Sequence, residues 1–443
     1  MKGDDRRGSG YEVSLALMVG GLVALCVLFI SVEAAADGPL ISGESNTIFR
    51  GSKTTDDRKL YPFYEYLRFS GENPAGDSGT VSFNIGGWGR ADLGDPSTES
   101  RTDGDFQYGY LSYRGNKGNF QVSAGRQFVA EGVAAERIDG LYLRSDFMAG
   151  FGGAVFFGSP VVTTQTGFKG GDIQYGGRIT HSMPKYYTVG LSALRTDYGG
   201  SAIREEEGVD LWLHPFKWLD GVGRSSYNSI TSSWMEHNYT LTFNVLENLR
   251  ISALGSQISY KDYFYQVTTP ALSLTNGLLD PNEKVFTLGG SVEYTAFKVL
   301  RLEVEYKNYD YDLAGLAKYY GGKVTFTRSE SFVAGLAVYR MDGETSRLRF
   351  YKYRVFATKN LGKGDITLDF LDVSYDESVS GLKNTYSVSG AVAYPVTENW
   401  KVSADLNYLK DPYYDNALAG MVKVTYVFDK ELGAEGRAKG EKK

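Results

Sequence analysis

The stretch WKVSADLNY at residues 400–408 alternates strictly between apolar and polar side chains. LRLEVEYK at residues 300–307 and FTLGGSVEYT at residues 286–295 follow nearly the same pattern. A period of two places the two sets of side chains on opposite faces of a β-strand. These stretches therefore predict strands with one apolar and one polar face. The strands of a soluble β-sandwich alternate in the same way, so the pattern alone leaves the architecture open.

The connections between the predicted strands narrow the choice of architecture. Over residues 79–428 we predict about 20 strands, with roughly 18 to 22 acceptable because strand boundaries are uncertain from sequence. Their connections alternate between a short set and a longer, polar set, which includes residues 261–283. Transmembrane β-barrels have this layout, with an even number of antiparallel strands, short periplasmic turns and longer outer loops. The sequence thus predicts an all-β chain that forms a single antiparallel transmembrane β-barrel.

The composition agrees with a barrel and excludes other classes of protein. Hydrophobic residues make up 42% of the chain and the mean hydropathy is −0.28, which excludes an ordinary helical membrane protein. A barrel remains compatible, because only every second strand residue faces lipid. The 33 Tyr and 24 Phe residues suit aromatic girdles at the membrane interfaces. The net charge of −6 argues against a nucleic-acid partner, which requires a basic face.

Residues 1–36 have the pattern of a secretory signal peptide. Basic residues precede an apolar run over residues 15–30, which ends before Ala34-Ala35-Ala36. We therefore expect cleavage after Ala36 and export to the outer membrane of a Gram-negative bacterium. An uncleaved inner-membrane anchor is the alternative. The single cysteine, Cys26, lies in the apolar run, so a cleaved chain has no thiol for disulfides, thiolate metal sites or C-x-x-C-H haem attachment.

Two segments flank the predicted barrel. Residues 37–78 are mostly polar, and we interpret them as a periplasmic N-terminal segment, although LYPFYEYLRF at residues 60–69 is aromatic enough for a strand. Counting that one strand would break the up-and-down parity of the barrel. The last predicted strand ends at Phe428, and an aromatic residue at this position resembles the C-terminal signal of outer-membrane barrels. Residues 429–443 form a hydrophilic tail, which we expect to be disordered.

The strand layout over residues 79–428 resembles that of porin-type outer-membrane barrels. GRQ at residues 125–127 followed by RIDGL at residues 137–141 is similar to a pattern in porin-like barrels. YEYLRF at residues 64–69 together with GWGR at residues 87–90 more loosely resembles the barrel subunits of porin–cytochrome conduits in metal-reducing bacteria. The second resemblance implies a barrel that sheathes a multihaem c-type cytochrome, which would be a separate chain.

The functional chemistry of a barrel lies in its lumen, and charged linings tune ion selectivity. The candidate lumen and constriction residues are Arg126, Glu131, Glu136, Arg137, Asp139, Arg144, Asp146, Arg301, Glu303, Glu305, Lys307, Arg347, Arg349, Lys352 and Arg354. The first seven cluster around one outer loop and could form an inward-folded constriction or, equally, remain surface charges. The last four are the densest cationic run, which predicts a basic wall. Such charges could also do no more than solvate a wide polar lumen.

Catalytic and metal sites are not expected. The chain has three histidines, His181, His214 and His237, and their spacing suits no metal site on one strand face. Glu236 beside His237 is the best acid–base pair, but such proximity arises by chance in a chain with 53 acidic residues.

Two functions remain after these exclusions. The first is a porin-like channel for small hydrophilic solutes or ions, with outer-membrane lipid around it. The second is the sheath of a multihaem cytochrome that carries electrons across the outer membrane. A barrel of about 20 strands is wide enough to need filling by its own loops or by a partner, so the sequence leaves both functions open.

Overall fold

The computed structural model describes residues 39–53, 57–74, 78–97, 100–161, 172–263, 280–328, 331–410 and 416–431. The predicted signal peptide and residues 432–443 of the predicted tail lie outside the described residues. Among the residues that are described, no helix is long and apolar enough to span a membrane.

The described residues form 23 β-strands in one antiparallel sheet. In chain order the strands are β1 Leu40–Lys53, β2 Lys59–Leu60, β3 Pro62–Pro74, β4 Gly79–Asp92, β5 Thr102–Gly115, β6 Phe120–Glu131, β7 Ala134–Asp146, β8 Phe151–Pro160, β9 Ile173–Met183, β10 Tyr187–Tyr198, β11 Ser201–Phe216, β12 Leu219–Asn228, β13 Ser233–Leu246, β14 Leu249–Ser259, β15 Lys284–Ala296, β16 Leu300–Tyr311, β17 Gly315–Arg328, β18 Phe332–Gly343, β19 Arg349–Asn360, β20 Asp365–Val379, β21 Leu382–Pro395, β22 Trp400–Lys410 and β23 Ala417–Glu431. Short helical turns lie at Met148–Gly150, Tyr260–Tyr263 and Ser346–Leu348.

The sheet closes on itself as a barrel of 22 strands, and β2 only extends the pairing at the end of β1. Closure is made by β1, which pairs with β3 on one side and with β23 on the other. The predicted single antiparallel barrel is therefore confirmed, and its strand count falls within the predicted range. Short turns such as residues 184–186 and 247–248 lie at one edge of the barrel. Leu40 at the start of β1 and Glu431 at the end of β23 lie at the same edge. The strand ends joined by longer connections, such as Ser259 of β14 and Lys284 of β15, lie at the opposite edge.

The interpretation of residues 37–78 as a segment outside the barrel is wrong. Residues 40–53 and 62–74 form two full strands of the wall, and two strands preserve the parity that one would have broken. Strand β1 lacks the apolar alternation because Gly43, Ser45 and Thr47 occupy the face that is apolar elsewhere. The last strand also runs three residues past Phe428, to Glu431.

Each strand has an outward face and a lumenal face. Register partners such as Leu141 with Phe157, and Leu336 with Val355, are at least half exposed although they are large and apolar. An exposed apolar face that continues from strand to strand is the face that a transmembrane barrel turns to lipid. We call this face outward and the opposite one lumenal, and the register fixes the assignment around the barrel.

A carboxylate interrupts the outward face of β3. Glu65 lies between the outward-facing Phe63 and Leu67, and it accepts hydrogen bonds from the hydroxyls of Ser45 and Thr47, both at 2.6 Å. A charge that faces lipid is costly, so these two donors are needed to hold it there.

Removing both donors from Glu65 is expected to destabilise the barrel. The double variant Ser45→Ala with Thr47→Val should lower the free energy of unfolding in urea by about 2 kcal/mol, since hydrogen bonds to a charged group are among the stronger ones. Ser42→Ala is the matched control, because it breaks one neutral hydrogen bond to Ser70 on the lumenal face of the same two strands. Equal effects of the double variant and the control would contradict this role of Ser45 and Thr47.

Candidate pore constriction

The hairpin of β6 and β7 separates from β5 partway along its length, whereas β7 stays paired with β8 as far as Ile138. Gly125 and Gly140 are register partners in this hairpin, and Gly125 has φ +125°. A Cβ atom at Gly125 would lie 2.3 Å from the carbonyl oxygen of Gly109, so glycine is required at this position. The ladder between β5 and β6 ends just there, at Gly109 and Arg126. We call residues 126–139, beyond the bend, the eyelet hairpin.

The eyelet hairpin folds back into the lumen. Tyr142 pairs in register with Ser123, and in a flat hairpin Glu131 would lie about 26 Å from Ser123, at about 3.3 Å per residue. Instead, the Tyr142 hydroxyl donates to Glu131 Oε1 at 2.6 Å. At the tip, the Val133 N–H donates to Oγ of Ser192, on the lumenal face of β10, at 3.0 Å. The tip therefore lies inside the barrel, against a strand three places away from β7.

An apolar cluster holds the eyelet hairpin against the inner wall. Val129, Ala134 and Ile138 of the hairpin pack against Phe156 of β8 and Leu194 of β10, and none of the five is more than 3% exposed. Burial of each large apolar side chain contributes about 2 kcal/mol. The folded position of the hairpin is therefore a packed arrangement rather than a loop lying loosely in the lumen.

Charged side chains of the hairpin meet charged side chains of the wall beside this cluster. Glu131, whose side chain is 5% exposed, lies 3.6 Å from Arg178 of β9 and 3.8 Å from Arg144 of β7. The Arg178 guanidinium also donates to both carboxylate oxygens of Asp210 on β11. A buried carboxylate is stable only when it is paired, so Arg178 connects the hairpin to two strands of the wall.

A second ion pair fixes the returning strand of the hairpin. Glu136 accepts a hydrogen bond from Arg204 of β11, which also donates to both carboxylate oxygens of Glu206, at 2.6 Å and 2.9 Å. These pairs are less than about a third exposed. Arg178 and Arg204 of the wall thus each pair with one acidic residue of the hairpin and one acidic residue of the wall.

The opposite face of the hairpin carries another cluster, at the position where the β5–β6 ladder has ended. Arg126 makes a two-pronged contact with Asp139, at 2.7 Å and 2.9 Å, and donates to the Phe106 carbonyl oxygen at 2.8 Å. Arg137 donates to Asp105 at 2.9 Å and to the Gln107 carbonyl oxygen at 3.4 Å. Two guanidinium groups therefore bind backbone oxygens of β5 in the part of β5 that β6 does not reach.

The seven residues predicted around this loop fall into three groups. Glu131, Glu136 and Arg144 lie in the charged network between the hairpin and the wall. Arg126, Arg137 and Asp139 lie on the face of the hairpin turned away from that network, because successive residues point to opposite sides. Asp146 lies at the short-turn edge, in register with Gly152, and joins neither cluster.

Strand β16 supplies four of the predicted lumen residues, and the register places all four on the lumenal face. Arg301, Glu303, Glu305 and Lys307 alternate with outward residues such as Val304. Their partners are local: Lys307 lies 2.6 Å from Glu305, Lys323 of β17 lies 2.5 Å from Glu303, and Glu293 of β15 lies 3.6 Å from Arg301. This wall is therefore lined by charges of both signs, each paired with a neighbour.

The cationic run of β19 does not form the predicted basic wall. Arg347 lies in the helical turn before the strand, and the period of two places Arg349 on the outward face while Lys352 and Arg354 face the lumen. Arg354 pairs with Asp369 of β20, so its charge is compensated. The Lys352 ammonium lies over the rings of two lumenal tyrosines, Tyr319 and Tyr339, at 5.6 Å and 5.2 Å.

The histidines are dispersed, each with a local partner. His214 lies 2.6 Å from Asp220, His181 lies 3.1 Å from the Tyr187 hydroxyl, and His237 lies 2.8 Å from the Ser225 hydroxyl. No group of three or more His, Cys, Asp or Glu side chains in the described part of the chain could hold a metal ion.

The wall residues that surround the hairpin were not predicted from the sequence. Arg178, Arg204 and Asp210 occupy lumenal positions of their strands, and alternation with exposed residues such as Ile179 is a signal that could have found their facing. Their contact with Glu131 and Glu136 depends on the bend, and no short sequence pattern reports it. The glycines at residues 125 and 140 were the sequence feature that indicated a bend in these strands.

Comparison with known proteins gives a likeness of fold. No protein-family model matches the chain, and no curated protein matches it. Among solved structures, OccK3 (OpdO) of Pseudomonas aeruginosa is 8% identical with a TM-score of 0.43, covering 88% of this chain and 96% of that one. OccAB2 of Acinetobacter baumannii is 6% identical with a TM-score of 0.46, covering 88% and 98%. The ferric enterobactin receptor PfeA of P. aeruginosa is 9% identical with a TM-score of 0.49, covering 90% and 81%. These values say nothing about what crosses the barrel.

Proposed function

We propose that this chain is a porin-type channel in the outer membrane of a Gram-negative bacterium and passes small hydrophilic solutes or ions. The apolar outward face and the charged lumenal face of the same closed barrel support this proposal, since lipid contacts one face and water the other. In this orientation the short turns are periplasmic and the signal over residues 1–36 directs export.

The folded eyelet hairpin is the observation that carries the proposal. It brings Glu131 and Glu136 from the long-loop edge into the lumen, where they meet Arg178 and Arg204 of the wall. The facing wall at β16 presents Arg301, Glu303, Glu305 and Lys307, two charges of each sign. A narrowed passage between two charged walls selects solutes by size and polarity, and this is the chemistry of a solute channel.

The rival function is the sheath of a multihaem cytochrome. The resemblance of residues 64–69 and 87–90 to conduit barrels favours it, whereas a lumen already narrowed by the chain's own hairpin favours small solutes. A visible absorption spectrum of protein purified gently from native outer membranes separates the two. Stoichiometric c-type haem retained through size exclusion would support the sheath and overturn the channel.

Liposome swelling tests the channel itself. Liposomes that contain the purified protein are expected to swell in a small sugar such as arabinose, and several times more slowly in a trisaccharide, because the eyelet hairpin limits the passage. Protein-free liposomes are the control. A colourless preparation that inserts fully and supports no swelling in either sugar would contradict the proposal.

A further inference from the structure

We propose that the side of the eyelet hairpin turned to the open lumen is a binding site for a neutral pyranose sugar, with Phe128 as the platform for the sugar ring. A pyranose carries hydroxyl groups around a ring that has an apolar face. This inference rests on the proposed channel function and names a class of solute for that channel.

The two faces of the hairpin differ in burial. Val129 is 2% and Glu131 4% exposed, because their face packs on the inner wall of the barrel. Between and beside them, Phe128 is 64% exposed, and Ala130 is exposed in register with Ala135, which is also exposed. Successive residues of a strand point to opposite sides, so the side chains of Phe128, Ala130 and Ala135 are turned to the open lumen.

Phe128 offers an uncovered aromatic face to a solute. The nearest residues towards the tip on the same face, Ala130 and Ala135, are too small to cover the ring. The rings of Tyr319 and Tyr339 elsewhere in the lumen differ, since the Lys352 ammonium lies over both. The C–H bonds on one face of a pyranose can pack on the electron-rich face of a phenyl ring. Such packing removes apolar surface of Phe128 from water, which favours binding.

Polar groups for the hydroxyls of a sugar lie beside Phe128. Arg137 is its register partner, and opposite residues of two strands have Cβ atoms about 5 Å apart. Arg126 and its partner Asp139 follow on the same face, two residues closer to the bend. The side chains of Arg137 and Asp139 are 18% and 25% exposed. Guanidinium N–H donors and carboxylate acceptors are therefore accessible next to the ring.

The charges around Phe128 favour a neutral solute. Arg126 lies 2.7 Å from Asp139 and 3.7 Å from Asp105, and Arg137 lies 2.9 Å from Asp105. The two guanidinium and two carboxylate groups cancel, so neither an anion nor a cation gains a net attraction there. Hydroxyl groups both donate and accept hydrogen bonds, and they suit a set of donors and acceptors without net charge.

Block of the ion current by maltotriose tests the site. In planar bilayers, maltotriose is expected to reduce the current reversibly, and by more than sorbitol, an open-chain polyol, at the same mass concentration. Phe128→Ala should raise the half-blocking concentration of maltotriose about tenfold, because the apolar contact of one large side chain is lost. Phe128→Trp should retain the block, since the indole ring offers a platform at least as large.

Controls separate the sugar site from the channel. Phe286→Ala is the matched variant, because Phe286 is 48% exposed on the outward face of β15, where it alternates with the buried Val285. It should be blocked like the wild type. Resistance to protease verifies that each variant is folded.

Three results would contradict this inference in distinguishable ways. Ion current without any block by maltotriose beyond that of sorbitol would overturn the sugar site and leave the channel intact. Equal half-blocking concentrations for the wild type and Phe128→Ala would overturn the site at Phe128. Absence of current from the folded wild type would overturn the channel, and the sugar site with it.

Discussion

Shortening the eyelet hairpin is expected to raise the single-channel conductance about threefold, since it removes the constriction from the lumen. The variant replaces residues 128–137 with Asn-Gly. Gln127 and Ile138, which are register partners, are then joined by a two-residue turn of the type that Asn-Gly favours in hairpins. Ten residues of the hairpin are thus replaced by two, and the ladder between β7 and β8, which begins at Ile138 and Pro160, is retained.

The same variant should also change the ion selectivity. It deletes Glu131, Glu136 and Arg137, a net loss of one negative charge, and leaves Arg178 and Arg204 on the lumenal wall. The reversal potential in a salt gradient should therefore shift towards anions. Ala130→Ser with Ala135→Ser is the matched control, because both alanines are exposed on the hairpin and are register partners. A shortened variant that conducts like the wild type would show that the hairpin does not limit the pore.

Loss of Arg178 is expected to cost about 3 kcal/mol of unfolding free energy, as is typical when one partner of a buried ion pair is removed. Arg178→Met keeps the length of the side chain but leaves Glu131, which is 5% exposed, and Asp210 without their shared cation. Urea unfolding in lipid vesicles, followed by Trp fluorescence, measures the change.

Two further variants test the reason for that loss. Arg178→Met combined with Glu131→Gln should recover more than half of the lost stability, because the buried charge is neutralised. Arg354→Met breaks a lumenal pair with Asp369 in which the arginine side chain is half exposed, and it should cost about 1 kcal/mol or less. Equal losses for Arg178→Met and Arg354→Met would contradict the buried role of Arg178.

Much of the fold could be predicted from the sequence because strand alternation is a local property. The strands predicted over residues 300–307 and 400–408 correspond to β16 and β22. The alternation of short and long connections predicted which strand ends lie together at each edge of the barrel. Strand β1 was missed since Ser45 and Thr47 take the outward positions, where they serve Glu65 rather than lipid. These two residues are polar because they bind Glu65 on a neighbouring strand, and no local sequence pattern reports that contact.

The site was less predictable for the same reason. Clustering of charge between residues 126 and 146 indicated the segment of the constriction. It could not show that Glu131 and Glu136 lie on one face of the hairpin and Arg126 and Asp139 on the other. That division depends on the bend at Gly125, which turns one face of the hairpin to the wall. The predicted basic wall of β19 failed because the compensating Asp369 lies on another strand.

Single-channel recording of the purified chain in planar bilayers tests the central claim most directly. A water-filled barrel with a constriction predicts discrete current steps that are about linear with voltage over a moderate range. Insertion is verified separately by the resistance of the folded barrel to protease. Fully inserted protein that produces no current steps would contradict the account of this chain as a pore.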